Sequence, residues 1–220
     1  MTGFIETTAN WLATPSGVSK LIISPQKKMF AWKEVYGGLN PTLKQDRAIV
    51  ERTDTLMNWY NLPDKVNRAI KAFKAIRAKD PVLKTAENSI VASSHLANLI
   101  KMWAFGGRFL HQEGLILLSQ VQLAAIRSIG LVATFFSLLQ NGIDIKNIIY
   151  KFQGYQPQDP GLRFELLQLI CKVCSFIINL SMIGVFAFGG KVLVLTVGTI
   201  SLVFSISKYY YKQICIINSK

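Results

Sequence analysis

Thirty-five residues separate Lys172 from Lys208, and Lys191 is the one charge among them. Lys191 follows Gly189-Gly190 and divides the run into two apolar lobes, Val173 to Gly190 and Val192 to Ser207. As helices rising 1.5 Å per residue, the lobes measure about 27 and 24 Å. A bilayer's hydrocarbon core is about 30 Å thick, so each lobe lies at the short edge of what crosses it. Neither water nor the core of a 220-residue chain accommodates so long an uncharged stretch. The chain reads as an all-α, membrane-associated helical protein with amphipathic helices and C-terminal transmembrane segments.

Charge is spread unevenly around this anchor. Residues 1–112 hold sixteen Lys/Arg against eight Asp/Glu, residues 113–172 five against four, and the rest four lysines and no acid, for a net +13. A basic half joined to an apolar half suits an anionic membrane surface, and no base-reading motif points to nucleic acid. The first twenty residues contain Glu6 and no apolar run, which is not the make-up of a secretory signal peptide.

The reactive side chains are few. Cys171, Cys174 and Cys215 make no disulfide framework, and Cys171-Lys-Val-Cys174 opens an apolar helix without the βαβ context of a redox motif. Zinc needs four ligands, and only His95 and His111 remain to join the cysteines, so no metal or other cofactor is expected. There is no phosphate-binding glycine loop, no evident carboxylate pair and no histidine beside a nucleophile. An enzyme is not expected, and no catalytic residue is assigned.

Apolar residues recur at helical spacing throughout. Phe4, Ile5, Thr8, Trp11 and Leu12 mark a short helix stopping near Pro15-Ser16-Gly17. A second, Val18 to Val35, is expected to be interrupted at Pro25, and Asn40-Pro41 opens a third. Leu62-Pro63-Asp64 starts the most amphipathic segment, residues 64–79, which Asp80-Pro81 ends. Val66, Ala69, Ile70, Phe73 and Ile76 share an arc of about 120°, the expected membrane-inserting face. Lys65, Arg68, Lys71, Lys74 and Lys79 occupy the remainder and are expected to meet lipid headgroups.

Residues 1–112 therefore read as a cytosolic helical region. Residues 113–143 read as an apolar helix, buried or spanning, whose one cation between Gly114 and Ile143 is Arg127. Residues 144–172 read as a polar connection and helix, 173–207 as the bilobed anchor, and 208–220 as a short basic tail. Lys208, Tyr209, Tyr210, Tyr211 and Lys212 make an aromatic and cationic interface anchor. Gly184, Gly198, Ser201 and Ser205 place small residues at helix-packing intervals. Basic segments stay cytosolic, so both ends face the same side and the number of spans is even.

In layout the chain resembles the peroxin-11 family of peroxisomal membrane-elongation proteins over most of its length. The resemblance rests on Phe4-Ile5-Glu6-Thr7-Thr8 and Gly17-Val18-Ser19-Lys20, with Val18-Ser19 where the family usually has Arg-Asp. It continues in the basic helix from Lys65 to Ile76, in Met102-Trp103 through Gly114-Leu115-Ile116, and in Gly198 to Ser207. The resemblance implies a peroxisomal or glycosomal membrane protein with cytosolic termini. Such a protein would self-associate as a homo-oligomer, wedge its amphipathic helix into one leaflet and act with organelle-fission machinery. Two other classes fit the same residues. One is a bacterial inclusion-membrane or effector scaffold with a bilobed hairpin turning at Gly189-Gly190-Lys191; the other is an oligomeric channel lined by Arg127.

Overall fold

The computed structural model describes residues 2–76, 82–156, 158–184 and 190–217. Among them there is no strand. The helices are α1 (Thr2–Leu12), α2 (Pro15–Val18), α3 (Ser24–Tyr36), α4 (Pro41–Tyr60), α5 (Leu62–Ile76), α6 (Val82–Gln112), α7 (Gln120–Phe152), α8 (Pro160–Ile183) and α9 (Gly190–Tyr211). Wide π-helical turns occupy Ser19–Ile23 and Lys212–Ile217.

Local chemistry sets most of these boundaries. The Thr14 hydroxyl accepts from Gly17 N–H at 3.0 Å, with Pro15 at the start of α2, where its missing N–H costs nothing. Asn40 caps α4 by accepting from Leu43 N–H at 2.8 Å, and Asp159 caps α8 by accepting from Gly161 N–H at 2.7 Å. Pro25 does not interrupt its helix as expected. The π-helical turn just before α3 widens the backbone where a proline ring would otherwise strike the preceding turn.

Three boundaries differ from the sequence expectation. The first apolar lobe stops at Ile183, because Gly184 takes a left-handed φ of 90° and its N–H closes the helix onto Leu180 and Ser181 carbonyls. The helix expected from residue 113 begins at Gln120, after a connection through Glu113–Ser119. It then continues through the supposed polar connection as far as Phe152, since Asn141, Asp144 and Lys146 are tolerated on a helix whose other faces stay apolar. The basic helix ends at Ile76 in the described residues, and Lys79, Asp80 and Pro81 lie outside them.

The chain divides into two compact units, Met1–Asp54 with Asp144–Lys220, and Thr55–Ile143. In the first unit α8 and α9 form an antiparallel hairpin. Tyr211 donates its hydroxyl to Pro160 O at 3.1 Å, and Cys171 Sγ approaches Ser201 O at 3.9 Å. The N-terminal helices run alongside α9. Lys151 pairs with Glu165 at 3.0 Å and Lys172 with Asp144, fastening the end of α7 to the start of α8.

The second unit is built on α6. Asn88 Nδ2 donates to Ala75 O at 3.3 Å, while Lys65 Nζ meets Met102 Sδ at 3.5 Å, so α5 runs antiparallel to α6. Asn98 Nδ2 donates to Ser137 Oγ at 3.0 Å across the seam with α7. Small residues line these seams: Ala92, Ser94 and Ala133 are buried. At Gly106 an added Cβ would run into the Trp59 ring, whereas at Gly107 it would meet open space. Gly106→Ala is expected to destabilise the unit by about 1–3 kcal/mol through overpacking. Gly107→Ala is expected to stabilise it by up to about 1 kcal/mol through helix propensity. Thermal denaturation followed by circular dichroism checks both, and equal effects would contradict the Trp59 contact.

Candidate membrane-contacting surfaces

Gln120–Phe152, Pro160–Ile183 and Gly190–Cys215 are long and apolar enough to cross a membrane. Their apolar stretches are 17%, 6% and 11% buried by the rest of the protein. Most of Pro160–Ile183, at mean hydropathy 1.9, is half-buried rather than enclosed, a degree of cover compatible with contact to lipid.

The basic helix splits its apolar arc between two jobs. Ala69 is buried against α6, and Ile76 is half-buried. Val66, Ile70 and Phe73 are exposed, as are Arg68, Lys71 and Lys74. Lys65 is half-buried and hydrogen-bonds Asn58 Oδ1 at 3.2 Å, besides meeting Met102, so it turns toward protein.

Sequence reasoning missed the second half of this face. On α6, Leu96, Ile100 and Trp103 are exposed at i, i+4 and i+7, the same spacing as Val66, Ile70 and Phe73. At 100° per residue, each stripe lies about 60–120° from the α5–α6 seam, in the same rotational sense along its own chain. In an antiparallel pair, equal offsets of one sense fall on one side. The six side chains thus form a two-helix apolar face, extended by Trp59, whose ring centroid is 5.9 Å from that of Trp103. The spacing in α6 was legible; its relevance was not, because Ser94, His95, Asn98 and Lys101 dilute the apolar signal there.

The residues assigned to anchoring and helix packing are occupied within the first unit. Tyr209 stacks on Trp11 at 3.8 Å between centroids and Tyr210 on Phe4 at 4.7 Å, with a 2.7 Å hydrogen bond between the Thr8 and Tyr210 hydroxyls. Lys208 is half-buried and Lys212 exposed. Lys20 Nζ donates to Ser205 Oγ at 3.2 Å, and Trp32 Nε1 donates to Thr199 Oγ1 at 3.3 Å. Gly198 is the notch that admits the Lys28 side chain beside Ile178. Ser201 faces α8, through its carbonyl and Cys171. Within the chain, nothing lies within 4 Å of a Cβ placed at Gly184, which ends α8.

No known family, no curated protein and no solved structure matches this chain.

Burial, reinforced by neighbouring Lys27, holds Lys28 below the ordinary lysine value of 10.5. A lysine with a lowered value in the packed state weakens packing fully below that value. The penalty is relieved as pH climbs to 10.5, where the released chain also loses its proton. Lys28→Met is therefore expected to raise the melting temperature at neutral pH, and its advantage should shrink as pH rises toward 10.5. A pH-independent difference would mean that Lys28 is not charged against α9.

Proposed function

We propose that this chain is an integral membrane protein that remodels the bilayer holding it. The α8–α9 hairpin serves as anchor and the α5–α6 face as the working surface. The observation that carries this reading is the two-helix stripe of Val66, Ile70, Phe73, Leu96, Ile100 and Trp103, bordered on α5 by Arg68, Lys71 and Lys74. Apolar side chains seated at the acyl–headgroup boundary, with cations against anionic headgroups, expand one leaflet more than the other. Unequal expansion favours curvature. No step of this requires catalysis or a cofactor.

Depth along the hairpin supports the anchor. Lys191 at the bilayer centre would cost about 2.5–3.5 kcal/mol, so the tip belongs at the far headgroups. The sixteen residues from Val192 to Ser207 cover about 24 Å, and snorkelling by Lys191 and Lys208 supplies the remainder of a crossing. The lysines at the other end of the hairpin favour cytosolic placement of both termini.

Insertion in this form has a structural consequence. Lys28, the Lys27–Asp54 pair at 2.6 Å and the Arg47–Glu34 pair at 2.6 Å belong to the same unit as α9, and Lys28 lies against Gly198. Lipid around α9 would place charges in hydrocarbon, at several kcal/mol per ion. The helices from Pro15 to Tyr36 therefore leave α9 on insertion. Their departure frees Gly198 and Ser205 for a second copy, the basis for a homo-oligomer.

The resemblance to the peroxin-11 family supports the peroxisomal or glycosomal membrane as the site of action, elongation before organelle division as the process, and fission machinery as a partner. A second reading, a bacterial inclusion-membrane or effector scaffold, is favoured by the α8–α9 hairpin itself, whose short tip joins two apolar helices. Imaging the tagged full-length protein in its own cell separates the two, since only the first expects elongated peroxisomes.

Full-length protein reconstituted into anionic liposomes is expected to tubulate them, and Ile70→Asp with Phe73→Asp to abolish tubulation while leaving membrane insertion intact. Round vesicles with the wild type would remove the remodelling reading. Joining residues 28 and 198 with a cysteine cross-linker, in a chain with Cys171, Cys174 and Cys215 replaced by serine, is expected to block insertion until the link is cleaved. Normal insertion of the linked protein would show that the helices stay on α9.

A further inference from the structure

The geometry points to a phosphate-binding cleft between α6 and α7, built by Arg108 and Arg127 with His111, that holds the phosphate of a membrane lipid headgroup. Arg108, His111 and Gln112 stand on the last turns of α6, and Leu123 and Arg127 on the first turns of α7, around a cleft of about 220 Å³. Pockets for drug-sized molecules start at about 300 Å³, so this one suits a compact polar group.

Its charge favours an anionic occupant. Two arginine side chains line one small space, and no carboxylate is among the lining residues. Like charges held together raise each other's free energy, and an anion between them reverses the sign of that interaction. Guanidinium forks match the oxygens of phosphate in bidentate geometry, and two of them can share one group. Gln112 adds a neutral amide donor.

The connection above the cleft argues for a lipid as the source. Leu115, Ile116 and Leu117 form an apolar run between the helices, with Leu115 70% and Leu117 92% exposed. Nothing in the protein covers these leucines, whereas the acyl region beneath a headgroup would. His111 ties the two parts together. Its Nδ1 accepts from Leu118 N–H at 3.1 Å and lies 3.2 Å from Ile116 O, which fixes the loop beside the arginines. With Nδ1 accepting, the neutral ring carries its proton on Nε2 and keeps one donor. A phosphate in the cleft and leucines in the layer below it would be engaged at once.

Arg127 thereby gains a role other than lining a pore. It is the one cation of the long apolar segment, and the structure brings it to a second arginine at the end of the neighbouring helix.

The lipid source rests on the membrane reading above; the cleft itself does not. The test uses full-length protein in neutral detergent, with three probes in isothermal titration: dioctanoyl phosphatidic acid, dioctanoyl phosphatidylcholine and inorganic phosphate. The phosphatidic acid, with its exposed phosphomonoester, is expected to bind most tightly. Arg108→Gln with Arg127→Gln should weaken it by at least about tenfold, since charge-assisted hydrogen bonds are lost. Arg127→Lys should retain part of the affinity, keeping charge without the fork. Leu115→Ser with Leu117→Ser should weaken the lipid and leave inorganic phosphate unchanged. If inorganic phosphate binds as tightly as the lipid and the leucine variant changes nothing, the cleft stands and free phosphate is its ligand. If no probe binds the wild type, or binding survives loss of both arginines in a protein of unchanged helix content, the site is overturned. Ile70→Asp with Phe73→Asp should leave all three titrations as they were, so failure of the remodelling reading and failure of this cleft are separately visible.

Discussion

An apolar helix pair that the rest of the protein covers only in part is the constraint from which the rest of this structure follows. α8 and α9 bury little of their apolar length and pair with each other, because two helices cannot enclose their own outer surfaces. The incompletely covered area is compatible with lipid contact. Contact of that kind limits where charge is tolerated. Lys172 is paired with Asp144 midway along α8, Lys191 stands at the start of α9 and Lys208 near its end. Lys191 and Lys208 are at positions from which an ammonium reaches headgroups, and the ion pair offsets the charge of Lys172.

The same constraint gives the N-terminal helices their meaning. Aromatic stacking of Trp11 and Phe4 on Tyr209 and Tyr210, and hydrogen bonds from Lys20 and Trp32, cover the small-residue side of α9. Those contacts suit a protein environment and not an acyl one. Under the proposed insertion, the same face would pack against a copy of itself, and small residues suit both arrangements. Gly198 and Ser205 are suited to that use, because a notch without a bulky side chain accepts either partner at close approach.

In the second unit, the property that matters is the sharing of one surface by two helices. α5 alone has a strong apolar arc, yet part of it is spent on Ala69 against α6. The exposed remainder is narrow, and α6 widens it with Leu96, Ile100 and Trp103. A pair of helices also holds the apolar stripe in fixed geometry before any lipid is met, whereas a lone helix must first order itself, with the entropic cost of nucleation.

Much of this was legible in the sequence for local reasons. Caps and prolines placed the starts of α4 and α5, since a side-chain oxygen two or three residues from an orphan N–H is a purely local interaction. The bilobed anchor was legible because uncharged length needs no partner to be read. The end of α8 was not. Gly184, Gly189 and Gly190 all offer a left-handed turn, and the sequence holds no local rule for choosing among them. Nor was the continuity of α7 through Asn141 to Phe152, where Asp144 and Lys151 are steadied by Lys172 and Glu165 of a later helix. Sequence by itself determined that the chain is helical, basic and apolar enough near its C-terminus to cross a membrane, because composition and 3.6-residue periodicity act within one segment. Only the tertiary structure decided that the first helices lie on the last one, that α6 completes the apolar face, and that Arg127 and Arg108 line one cleft. Such partnerships join residues far apart in the chain, and their energies depend on distance in space, which no local pattern encodes.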